Sequence, residues 1–311
     1  MLDYLPLWLA TLIREICTIS FNLFKLMIPI IIIVKIIEEL GGIELIGQFL
    51  GPLMNLVGLP DSMGLIWATT MITNIYGGML IFMTTAGQEQ LTVAQLTVLG
   101  SMMLIAHALP IEVRIAQQAG VRVLFTLLLR IGGALLMGFL LNQLYTAGHY
   151  LNTVKPPMWQ PEVIPDPSLM TWSWLQIKAL GQVFLIISVL VIFLKLLKLS
   201  GIEKIIAFLL KPLLKVLGLS EKTTTFTMIG ITLGLTYGGG LLIIEAKKGD
   251  ISKEEVFGAV SLLALCHSLI EDTLLILLMG AHLSGILYFR LLFSLILIAV
   301  LIRAVRLLRN L

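Results

Sequence analysis

The sequence predicts an all-α integral membrane protein made of two inverted-topology repeats. Each repeat is expected to hold about three spanning helices, an interfacial amphipathic helix and a Gly-broken segment that is either re-entrant or discontinuous. Three observations predict this. The 311-residue chain is 58% hydrophobic and only 13% charged, it repeats itself at a spacing of about 160 residues, and its basic-residue bias reverses between the two halves.

A soluble domain carries about 25% charged residues. Here the deficit gathers into uncharged runs at 26–34, 63–86, 179–194 and 291–302, and the mean hydropathy is +1.02. The longer runs approach or reach the roughly 20 residues that cross about 30 Å of hydrocarbon. Met1-Leu2-Asp3-Tyr4 offers no basic n-region and the first basic residue is Arg14, so no cleavable signal peptide is expected. Cys17 and Cys266 are far apart and form no CxxC, which supports neither a disulfide framework nor a zinc ribbon.

The repeat shows at unusual residues rather than at leucines. Gly42-Ile43-Glu44 falls on Gly201-Ile202-Glu203, Pro52-Leu53 on Pro212-Leu213, and Gly58-Leu59 on Gly218-Leu219. Tyr76-Gly77-Gly78 matches Tyr237-Gly238-Gly239; His107, Leu109 and Glu112 match His267, Leu269 and Asp272; Gly120 and Arg130 match Gly280 and Arg290. Repeat one is assigned to 1–145 and repeat two to 172–311. The segment between them, 146–171, carries Pro156, Pro157, Pro161, Pro165 and Pro167 and reads as an extended linker outside the membrane.

Lys and Arg favour the cytoplasm. The region 35–61 has one basic residue, whereas its counterpart holds Lys195, Lys198, Lys204, Lys211, Lys215 and Lys222. The next loop has none between 86 and 95, against Lys247, Lys248 and Lys253. Beyond the histidines the bias reverses, with Arg114 and Arg122 in half one and none between 271 and 282 in half two; Arg303, Arg306 and Arg309 follow the last helix. Equivalent loops therefore belong on opposite faces, each half crosses an odd number of times, and both termini are expected on the cytoplasmic side of the inner membrane. Three crossings plus a hairpin satisfy every loop, with 202–217 lying along the interface and its lysines snorkelling to water. Five crossings per half would drive Lys204, Lys211 and Lys215 into hydrocarbon, at about 2.5–3.5 kcal/mol for one near the centre.

Corresponding Gly-interrupted apolar segments point to the binding site of a repeat-built transporter. Here they contain Asn74, Tyr76, Gly77 and Gly78 in one half and Thr236, Tyr237, Gly238 and Gly239 in the other. Paired glycines there break a helix and free backbone groups for a solute; the alternative is close packing of small residues. A second constellation is His107 with Glu112, and His267 with Glu271 and Asp272. Spacing places His267 and Glu271 on one helix face, while Pro110 ends or kinks the helix between His107 and Glu112. Ionisable residues at membrane depth are functional hypotheses by default, and this set can relay protons, ligate a divalent metal or bind a polar solute. Arg130 and Arg290 either neutralise the acids, bind an anionic group or snorkel; His149 and His282 are expected to be solvated. No HExxH, Walker loop, GxSxG or dinucleotide fingerprint is present, so an enzyme is not expected.

The duplicated order of amphipathic stretch, Tyr-Gly-Gly break and His-x-Leu followed by acids resembles the nucleoside recognition, or Gate, domain family. That family includes the repeated core of concentrative nucleoside transporters, the membrane part of ferrous iron transporter B and the paired spore maturation proteins. The resemblance covers about 21–142 and 176–308. The chain lacks a GTPase loop, lacks the further helices of a full nucleoside transporter, and holds both halves that the spore maturation pair divides between two chains. The resemblance implies a transporter of a small polar, nucleoside-like solute coupled to H⁺ or Na⁺, with no resident cofactor. A divalent-metal permease using His107, Glu112, His267, Glu271 and Asp272 is the second reading, and a non-transporting membrane scaffold the third. The expected partners are the lipid bilayer, a solute or ion and further copies of the chain, with no nucleic acid.

Overall fold

The computed structural model describes residues 7–85, 90–154, 168–249 and 251–309. Two sets of seven helices follow one another in matching order. The first set is α1 (Leu7–Glu39), α2 (Gly42–Leu56), α3 (Met63–Ile72), α4 (Ile75–Thr85), α5 (Val93–Ile105), α6 (Leu109–Gln118) and α7 (Val123–Ala147). The second is α8 (Leu169–Ser200), α9 (Ile202–Val216), α10 (Glu221–Leu233), α11 (Leu235–Lys248), α12 (Lys253–Leu265), α13 (Glu271–Leu278) and α14 (Arg290–Arg309), the last entered through a π-helical stretch, Ser284–Phe289. Among the described residues four helices are long and apolar enough to cross a membrane: Trp8–Ile37, Val123–Ala147, Leu169–Leu197 and Ser284–Leu307. The pair α5 and α6, bent by 41° at its break, makes a fifth candidate. The chain is an all-α protein of the membrane class, with no strand among the described residues.

The matching extends to the turns. Gly41 and Gly201 both sit at φ near +70°, ahead of α2 and α9. The repeat register there is therefore Gly41 with Gly201, one residue off the Gly42 pairing that the sequence suggests. In α9, Leu210 and Leu214 are buried while Ile205, Phe208 and Leu209 face outward, the pattern of a helix that leans on the protein and offers the rest of its apolar face to lipid.

The breaks differ from the sequence expectation. The helix interruption lies at Thr73–Asn74 and at Gly234, ahead of each Tyr-Gly-Gly, and the glycines belong to the first turns of α4 and α11. A Cβ at Gly78 would run into the Thr70 hydroxyl, and one at Gly77 into that of Thr73. At these two positions close approach between the arms of the hairpin is what requires glycine.

The equivalent helices α5 and α12 start at opposite ends of the molecule. Val154 bridges to Thr92 and the Val93 amide donates to Thr153 O at 3.0 Å, so α7 ends where α5 begins. The His282 amide donates to Thr97 Oγ1 at 2.9 Å at this same end. At the other end, the α6–α7 turn, the close of α11 and the start of α12 line one cavity. Thus α5 starts at the linker end, and its counterpart α12 starts at the opposite end. Of the linker, 148–154 folds back onto α5, and 155–167, with its prolines, lies outside the described residues.

Candidate functional site

The two sequence-related breaks, α5–α6 and α12–α13, meet at the centre. Each long apolar helix stops one residue before a residue in an unusual extended conformation, Ala106 (φ −124°, ψ 73°) and Cys266 (φ −144°, ψ 75°). The histidine follows, and the next residue is left-handed: Ala108 at φ 46° and Ser268 at φ 44°. A non-glycine residue in this region costs about 1–3 kcal/mol and collects at functional sites. The strain is held by neighbouring broken helices, since the Ala108 amide donates to Thr70 O (3.1 Å) and the Leu269 amide to Ile231 O (2.7 Å). Pro110 fits the first turn of α6, where it has no intrahelical bond to lose.

This backbone turns both histidines inward. Nδ1 of His107 donates to Met103 O at 3.0 Å, and Nδ1 of His267 to Leu263 O at 2.7 Å. A carbonyl can only accept, so in the neutral rings the proton is on Nδ1 and Nε2 carries a lone pair. The two Nε2 atoms face each other at 3.0 Å. Glu112 Oε1 is 3.1 Å from Nε2 of His107 and 3.2 Å from Nε2 of His267. The other oxygen of Glu112 pairs with Arg130 Nη1. These three side chains form a cluster able to hold a metal ion. His107, His267 and Glu112 are 5%, 3% and 7% exposed, so bulk water does not separate the three acceptors.

Arg130 and Arg290 are fully buried. Snorkelling is thereby excluded, and their positions explain why. Arg130 donates through Nε to Ile105 O and through Nη2 to His107 O, both at 2.9 Å. Arg290 repeats this on Leu265 O (3.1 Å) and His267 O (3.0 Å), with a further bond to Leu104 O (3.3 Å). Each guanidinium caps the carbonyl end of a broken helix, where a positive charge is favoured by the helix dipole.

Asp272 is buried but stands off, its Oδ2 3.8 Å from Nε2 of His107. Glu271 does not share a helix face with His267. It opens α13 while His267 lies in the break before it, and Glu271 accepts instead from the Tyr76 hydroxyl across the halves at 3.3 Å. Asn74 caps α4, its Oδ1 accepting from the Gly77 amide at 2.9 Å, which fixes that side chain as structural. The side chains of Thr236, Tyr237, Gly238 and Gly239 lie outside the described residues, and only their helical backbone is placed.

The ends of the molecule are unlike. At the linker end Tyr145 Oη and Ser284 Oγ meet at 2.8 Å, His282 Nδ1 lies 2.9 Å from Ser284 Oγ, and the Tyr150 ring stands edge-on to His282. His282 is therefore half-buried within a polar cluster, while His149 is exposed as expected. Tyr145, Ser284 and His282 carry no sequence signal for this role. At the opposite end a cavity of about 740 Å³ opens between Gln118, Arg122, Phe125, Lys247, Lys253 and Phe257.

The chain is 26% identical over 270 residues to an uncharacterized membrane protein, YvoD, of Bacillus subtilis (strain 168), covering 84% of this chain and 83% of that one. No family model and no solved structure matches. With the four to five candidate spans, the similarity supports a membrane protein, and it says nothing of what is moved or bound.

Proposed function

We propose that the chain is a multi-pass transporter of a divalent transition-metal cation, bound at the centre by His107, His267 and Glu112 and released to either side by alternating access between inverted halves. One observation carries the reading: with both rings neutral and protonated on Nδ1, two imidazole lone pairs and a carboxylate oxygen converge at 3.0–3.2 Å. Three acceptors in that arrangement repel one another unless a proton or a metal cation lies between them, and two imidazoles with a carboxylate are a metal-binding set. A four-coordinate zinc at about 2.0–2.1 Å from its ligands spaces them by roughly 3.3 Å, close to the edges of this triangle. Two imidazoles and a carboxylate suit zinc, iron and related first-row ions better than Mg²⁺ or Ca²⁺.

The same geometry disfavours the nucleoside-like solute. The central side chains already touch, Asn74 is engaged as a cap, and the space beside Gly77 and Gly78 is filled by threonine hydroxyls. The basic residues at the cavity end, Arg122, Lys247 and Lys253, orient that end toward the cytoplasm. The family resemblance to the membrane part of ferrous iron transporter B supports the reading.

Calorimetric titration of the purified protein with Zn²⁺, Mn²⁺ and Fe²⁺ tests it. Wild type should bind at least one of these ions and His107→Ala/His267→Ala should not. At 100 times the dissociation constant the ion should stabilise the fold by about 2.7 kcal/mol. Stabilisation by a nucleoside with no metal binding would return the polar-solute reading, and no ligand at all would favour the scaffold.

A further inference from the structure

The histidine pair lies where the two repeats meet, yet the carboxylates around it are not arranged symmetrically. Glu112 and Asp272 occupy equivalent positions, as do Arg130 and Arg290. Glu112 touches both Nε2 atoms and pairs with Arg130. Asp272 stands farther off, its Oδ2 3.8 Å from Nε2 of His107, and faces the charges of Arg290 and Arg130. Its Oδ2 is buried and makes no hydrogen bond among the described residues. The chain thus keeps a second buried carboxylate beside the cluster, with an oxygen outside any hydrogen bond among the described residues.

We infer that Asp272 is the carboxylate of a second, repeat-related cation station, replacing Glu112 on the His107–His267 pair when the protein opens toward the linker end. This rests on the metal-transport reading. A buried carboxylate oxygen without a partner is costly, and a structure retains one where another state satisfies it. The ends of the molecule are asymmetric in the same sense as the centre. The linker end is closed by Tyr145, Ser284, His282 and Thr97, and the opposite end holds the large cavity. Exchanging the roles of the two halves opens the first, closes the second and brings Asp272 to the place Glu112 holds here. Both histidines serve in both stations, so the ion changes one ligand and is never stripped bare. Such a hand-over keeps binding in each state without a deep trap between them.

The test separates binding from movement. Zn²⁺ affinity is measured by titration and Zn²⁺ uptake in proteoliposomes, for wild type, Glu112→Gln, Asp272→Asn and Asp272→Glu. Glu112→Gln is expected to weaken equilibrium binding by about 10–100-fold, the usual loss when a metal site loses a supporting group. Asp272→Asn should bind within about threefold of wild type while uptake falls at least about tenfold. Asp272→Glu, which keeps the carboxylate, should recover uptake. Binding lost in Asp272→Asn as severely as in Glu112→Gln would make Asp272 a static ligand and overturn the exchange. Wild-type uptake by a folded Asp272→Asn, or none by a folded Asp272→Glu that still binds Zn²⁺, overturns it as well. If Asp272→Asn does not fold, the Asp272→Glu result decides. Failure of wild type to bind any of the ions overturns the parent reading, and this one with it.

Discussion

Replacing Arg130 by Met should be among the most damaging single changes in the protein. The guanidinium is fully buried, pairs with Glu112 and donates to Ile105 O and His107 O. Its removal leaves the Glu112 carboxylate in the interior without its arginine, a loss of about 3–5 kcal/mol. The two carbonyls lose charged hydrogen bonds as well, each worth about 1.5–3 kcal/mol and not additive with the first term. Arg130→Met/Glu112→Gln removes both charges, so it should recover about 2 kcal/mol relative to the sum of the single changes, the scale of coupling found for residues in one network. Arg290→Met, at an arginine that faces Asp272 without the direct pairing that Arg130 makes with Glu112, should cost less, about 1–3 kcal/mol. Equilibrium unfolding in mixed micelles reads all four variants. Single changes that add to the double within about 0.5 kcal/mol would refute the pairing, and a loss below about 1 kcal/mol for Arg130→Met would refute its burial.

Two further outcomes follow from local geometry. Gly78→Ala should cost about 1–3 kcal/mol, because its methyl meets the Thr70 hydroxyl already bonded to Ile66 O; Gly132→Ala, with open space around it, should be neutral or stabilise by up to about 1 kcal/mol, both read by thermal unfolding. Glu255 closes the capping box of α12; partial burial raises its pKa, but hydrogen bonds from Ser220 and Ser252 outweigh this and hold the carboxyl down at about 2. A depressed carboxylate stabilises the fold above its ordinary range and loses that contribution as pH falls toward about 2. Glu255→Gln, which keeps an acceptor oxygen but loses the charge on these hydrogen bonds, should therefore cost about 1 kcal/mol at neutral pH, and its unfolding free energy should change less than that of wild type between pH 4.5 and the lowest pH at which the protein stays reversible.

Much of this was legible because the fold is written twice. The recurrence of Gly, Pro, His and Arg at one spacing marks the elements, and Pro110 places the break that lets His107 reach Glu112. Spacing misleads at His267 and Glu271, since it assumes a helix where the chain is left-handed at Ser268, and serine does not announce that conformation. Gly77 and Gly78 were read as breakers, yet the break lies ahead of them at Thr73–Asn74 and they pack against threonine hydroxyls; glycine looks the same in both roles. The contact of Tyr76 with Glu271 joins residues 195 apart, and the closure by Tyr145, Ser284 and His282 joins different halves. No local pattern encodes either. The fates of Arg130 and Arg290 depended on which carbonyls the broken helices left free, which only the assembled centre defines.

The most direct test of metal transport is uptake of Zn²⁺, Mn²⁺ or Fe²⁺ by sealed proteoliposomes, wild type against a folded His107→Ala/His267→Ala variant. Ion accumulation by wild type that the variant abolishes is the predicted result. Equal traces from wild type, variant and empty vesicles for all three ions would contradict the account at its centre.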